Sequence, residues 1–141
     1  MTRLTAPLAG LMTAATLASA AAAQDTSALG LELNTAGPSQ NGCTLTFVLS
    51  NGLEMDIDQL VAETVLFSPD GGVILLTLFD FGALPAGVPR VRQFEVPGTQ
   101  CAGIGQVLVN GVATCTIGGA ASDACSQSLS VSSRIDIALE G

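Results

Sequence analysis

Apolar residues recur at every second position along most of this chain. In "CTLTFVLSN" (43–51), Cys43, Leu45, Phe47 and Leu49 fall on one side, and Thr44 and Thr46 on the other. That period of two is the pattern of a half-buried β-strand. "LGLELN" (29–34) alternates in the same way. "LVAETVLFS" (60–68) and "VILLTLFDF" (73–81) are apolar β runs joined by Pro69-Asp70-Gly71-Gly72. Proline presets φ and glycine accepts positive φ, so this junction predicts a hairpin. The run 73–79 is too short to span a membrane and reads as a buried strand.

After the corner "GALPAGVP", "RVRQFEV" (90–96) returns as a strand and stops at Pro97-Gly98. "QCAGIG" (100–105) reads as an irregular connection and "QVLVN" (106–110) as another strand. "GVATCTIGGAASDACSQS" (111–128) reads as a long polar loop with one helical turn near Ser122–Cys125. "LSVSSRIDIALE" (129–140), rich in serine and β-branched residues, reads as a single last strand. About seven strands with regular turn signals and no internal repeat predict an all-β, immunoglobulin-like Greek-key sandwich. An up-and-down barrel accommodates the two long connections less well. The antibody-type signature is absent, because the chain has no tryptophan.

The N-terminal stretch changes the picture of where the domain works. Arg3 precedes the apolar, alanine-rich "APLAGLMTAATLASA", and Ala21 and Ala23 are small residues ahead of Gln24. That is the layout of a secretory signal peptide over 1–23, leaving 24–141 as one exported domain. The expected location is the periplasm, with secretion beyond it as the alternative, and no membrane insertion after cleavage. The mature chain would carry only Arg90, Arg92 and Arg134 against twelve acids, with no lysine. Such a surface repels phosphate backbones and anionic lipid, which argues against nucleic-acid binding.

Four cysteines, Cys43, Cys101, Cys115 and Cys125, in an exported domain read as two disulfides. Of the three pairings, Cys43–Cys101 with Cys115–Cys125 is preferred, because the second closes a short Gly/Ala/Ser loop. Metal ligation is disfavoured, since no two cysteines stand at C-x2-C spacing and there is no histidine. Without C-x-x-C, a redox role is disfavoured as well.

The chain has no His, Lys, Tyr or Trp. Ser-His-Asp, Cys-His and Ser-Lys arrangements cannot be built, and Schiff-base chemistry is out. No enzymatic activity and no cofactor are expected. Glu54, Asp56 and Asp58 in "NGLEMDIDQL" would share one face if extended, which makes them a calcium candidate, against the simpler reading of a solvated strand entrance. Arg90 and Arg92 lie on the side of their strand that carries Phe94 and Val96. They are expected to pair with Asp80 or the 54–58 acids at the rim, the alternative being an anion or partner contact.

"VAETVLFSPDGGVILLTLFDFGALPAGVPRVRQFEVPG" (61–98) resembles the middle of small bacterial periplasmic immunoglobulin-like or fibronectin-III-like domains of the FxLYD type. The matching elements are Phe67, Asp70-Gly71, Pro85-Ala86-Gly87 and Phe94-Glu95-Val96. The Leu-Tyr-Asp element has no counterpart here, and neither does the C-terminal cysteine loop. The resemblance implies an accessory or interaction domain and transfers no functional residue. The expected function is therefore docking to another envelope protein, through a sheet edge or the 111–128 loop. The alternative is a ligand or calcium carrier.

Overall fold

A computed structural model describes residues 28–141; the expected signal peptide and its cleavage point lie outside them. Nine strands form two sheets. They are β1 (Leu29–Pro38), β2 (Gly42–Asn51), β3 (Ile57–Phe67), β4 (Val73–Leu84), β5 (Arg90–Pro97), β6 (Gln106–Ile117), β7 (Ala120–Ala121), β8 (Leu129–Ser133) and β9 (Ala138–Glu140). A short helix, α1 (Ala124–Ser128), precedes β8. The first sheet runs β5-β2-β1-β8, and the second runs β4-β3-β6-β7 with β9 also on β6.

The chain crosses between sheets after β2 and returns after β4, so that β5 lies beside β2. This is an all-β sandwich with the Greek-key return that the strand spacing predicts. The β3–β4 hairpin forms where Pro-Asp-Gly-Gly stands. Gly71 N–H donates to the Ser68 carbonyl at 2.9 Å, and Gly71 takes φ +90°, which a side chain would strain. The Ser68 hydroxyl donates to the Asp70 carboxylate and, with backbone N–H donors, holds its pKa below the usual value.

Alternation places Cys43, Leu45, Phe47 and Leu49 in the core, as expected. Four phenylalanines meet between the sheets: Phe47 on β2, Phe94 on β5, and Phe79 and Phe81 on β4. Phe79 and Phe94 stack at 4.2 Å between centroids, and Phe47 meets Phe81 edge-on at 5.6 Å. Such aromatic pairs add about 0.5–1.5 kcal/mol beyond area burial. Both disulfides are paired as preferred: Cys43–Cys101 and Cys115–Cys125.

Three readings are corrected. The segment 111–117 is not loop, because β6 continues to Ile117, pairs with β3 and turns into β7. Only the region around α1 is irregular. Residues 129–140 are two strands in different sheets. β8 runs parallel to β1, and β9 runs parallel to β6. The Ser133 hydroxyl donates to the Ile137 carbonyl at 2.6 Å and folds the bend between them. Arg134, in that bend, pairs with Glu32 at 2.8 Å. The Glu32 pKa is held below its usual value, first by the Asn34 amide and then by Arg134. The third correction concerns β4, whose outer face is exposed, as described below.

A buried polar side chain organises the β2-to-β3 crossover. Asn51 is 2% exposed, and its amide donates to the Met55 carbonyl at 3.0 Å and the Leu84 carbonyl at 2.8 Å. Its side-chain oxygen accepts the Leu53 N–H at 2.9 Å. Alanine here strands buried backbone groups at the end of β4 and in the loop. Asn51→Ala should cost about 2–3 kcal/mol in urea denaturation. A cost under about 0.5 kcal/mol would mean that water replaces all three bonds.

Candidate functional site

The acids at 54–58 do not converge. Glu54 lies in the crossover loop and Asp58 in β3, with the buried Ile57 before it. Asp56 accepts the Ala86 N–H at 2.8 Å, at the corner before β5. Asp58 accepts the Gly119 N–H at 2.8 Å, in the β6–β7 turn. Asp56 and Asp58 thus anchor different loops. Among the described residues, no group of three or more His, Cys, Asp or Glu is placed to hold a metal ion.

The arginines also depart from expectation. Arg92 does not meet an acid. Its Nε donates to the Phe81 carbonyl at 2.8 Å and one terminal nitrogen to the Ala83 carbonyl at 3.2 Å. The cause is local. Gly82 takes φ +67°, and the β3–β4 register slips beside it, so neither Phe81 nor Ala83 has a partner in the ladder. Arg92 reaches across from β5 and supplies the donors, tying the edges of the two sheets together. A planar guanidinium reaches two separated carbonyls with donors fixed in a fork, which the single nitrogen of a lysine ammonium matches poorly. Arg90 bonds only the carbonyl of its neighbour Pro89, at 3.2 Å.

Arg92→Ala should therefore cost about 1–2 kcal/mol, with Arg92→Lys recovering little of it. Arg90→Ala should cost less than about 0.5 kcal/mol. Equal effects in thermal or urea unfolding would refute this division of roles.

Several shallow troughs mark the described surface. One, of about 520 Å3, lies on the outside of the first sheet and is lined by Thr35, Pro38, Thr44, Thr46 and Gln93, among others. The others border Gly111 and the Cys115–Cys125 hairpin. Two of these troughs are lined by no titratable side chain, and another has Asp123 with the bridged Cys115.

The distinctive surface is β4. Val73 is 64% exposed, Leu76 60% and Leu78 57%, with Ile74 beside them. Ile74, Leu76 and Leu78 alternate with the inward Leu75, Thr77 and Phe79. They stand on the outer face, where Leu76 is opposite Val65 and Leu78 opposite Glu63. β4 is also the edge of its sheet, pairing only with β3. An uninterrupted apolar run marks a strand but does not say whether one face or both are covered. The single available sign is the absence of any charge from Gly71 to Phe79, the kind of edge that proteins ordinarily protect.

No described helix is long and apolar enough to cross a membrane, and the paired cysteines fit an oxidising compartment. No family model matches this chain, no curated protein matches it, and no solved structure matches it.

Proposed function

We propose that this chain is a non-catalytic, exported β-sandwich module of the immunoglobulin-like kind, working in the periplasm by binding another envelope protein. One observation carries the reading: four large apolar residues, Val73, Ile74, Leu76 and Leu78, are exposed together on one edge strand. Scattered exposed apolar residues need no explanation, whereas a cluster on an unpaired edge is a docking surface or an aggregation hazard.

Other features support the reading. The chain lacks imidazole, amine and phenol bases, which favours recognition over general acid–base chemistry. Two disulfides suit a domain that leaves the cytoplasm. The Phe67 strand end, the Asp70-Gly71 turn and the Phe94 strand are the elements on which the resemblance to FxLYD-type modules rests. The calcium alternative gains no support from the divergent Asp56 and Asp58.

In vivo crosslinking in the native envelope, followed by purification of the tagged full chain, tests the proposal. A reproducible stoichiometric protein adduct is the expected result. Turnover of a substrate by the purified, metal-free protein would overturn it.

A further inference from the structure

We propose that the Val73–Asp80 edge of β4 is completed by an extended segment of the partner, apolar at alternating positions and carrying Lys or Arg at its ends. This rests on the interaction-module reading above and specifies its site and chemistry. Strand addition of this kind uses main-chain hydrogen bonds for affinity and side-chain contacts for specificity.

The other edges are guarded or short, β9 being only three residues long. β5 carries Arg90, Arg92 and Glu95 and ends at Pro97, and charges and proline are the usual guards of an edge. β7 is two residues long. β8 leads directly into the bend that carries the chain to β9. Arg92 covers the far end of β4 at Phe81 and Ala83. What stays open is the stretch with the exposed Ile74, Leu76 and Leu78.

Charge selects the occupant. Asp70 stands at one end of this stretch and Asp80 at the other, with Glu63 on the outer face opposite Leu78. No arginine lies in any strand of this sheet. The described arginines are in β5 and in the bend after β8, where Arg134 is already paired. An apolar stripe bracketed by acids favours an apolar strand bracketed by bases.

A second copy fits less well. Antiparallel self-pairing centred on Leu76 would bring each copy's Asp80 towards the turn that carries the other copy's Asp70, and symmetry repeats that approach of like charges. The formal charge of −8 on each chain adds general repulsion.

The probe is a labelled peptide of alternating valine and threonine with two lysines at each end, compared with its glutamate-ended counterpart. Fluorescence anisotropy reads binding to the purified protein. The lysine-ended peptide should bind at least about tenfold more tightly than the other, and less tightly as salt rises. Leu76→Thr with Leu78→Thr should weaken it by about tenfold or more while leaving the melting temperature near that of the wild type. Asp70→Asn with Asp80→Asn should remove most of the preference between peptides, and Asp123→Asn with Asp136→Asn, which takes the same charge from elsewhere, should not. Equal binding of the two peptides, or none at millimolar concentration, overturns the proposal. A dimer in sedimentation that Leu76→Thr with Leu78→Thr dissolves also overturns it, because the edge then belongs to a second copy. In the crosslinking experiment, a partner retained in full by the double variant sinks the β4 site and leaves the module reading standing. No adduct with the wild type sinks the module reading itself.

Discussion

Replacing Cys43 and Cys101 together by alanine should lower the unfolding free energy by about 4 kcal/mol, roughly one and a half times the loss expected for Cys115 and Cys125. The difference comes from what each bridge encloses. Cys43 on β2 is joined to the turn between β5 and β6 across a sequence separation of 58. That loop holds β3, β4, β5 and the crossings from β2 to β3 and from β4 to β5. Cys115 and Cys125 are only 10 apart and close the β7 turn. Constraining the unfolded chain removes entropy as the logarithm of loop length, so the longer loop contributes more. Cys43 is also fully buried, and its loss leaves space beside Leu45 and Val96. Urea denaturation of the two double variants checks the order. A larger loss on removing the short bridge would show that the unfolded-state account fails here.

How far the sequence speaks depends on what stabilises each segment. The core strand 43–51 is legible because side-chain burial alone dictates its alternation. The hairpin is legible because Gly71 must take a positive φ. The 111–117 stretch hides as a loop because its stability comes from the ladder on both sides, to β3 and β7, and Cys115 is its one buried side chain. The break in 129–140 hides for a different reason. Leu129, Val131, Ile135, Ile137 and Leu139 keep one parity through the bend, so periodicity passes over it. A serine hydroxyl bonding to backbone two and four residues on makes the turn.

The candidate site was legible in part. A sheet edge is foreseeable as a docking element, but which edge depends on long-range pairing. Apart from the missing charges around them, nothing local distinguishes Leu76 and Leu78 from buried leucines. Arg92 looks like a surface cation because its true partners, the Phe81 and Ala83 carbonyls, become available only when the register slips at Gly82.

Phe47→Ala should cost about 3–5 kcal/mol, comparable to the loss of the long disulfide. Phe47 is 1% exposed and lies within 5.6–6.0 Å, centroid to centroid, of Phe79, Phe81 and Phe94. Truncation removes the aromatic that β2 contributes between the sheets and leaves a cavity that rigid strands fill poorly. Phe47→Leu keeps much of the volume and should cost about 1–2 kcal/mol. The consequence reaches the outer surface. Phe79 and Phe81 are the inward anchors of β4, whose outward residues include Leu78. An edge strand has one ladder and depends on its inner face to stay in place. In hydrogen exchange, Phe47→Ala should therefore speed the β4 amides more than those of β1, which has a partner strand on each side. Uniform acceleration would mean that the sandwich opens as one unit, and β4 would then have no independent mobility with which to receive a partner strand.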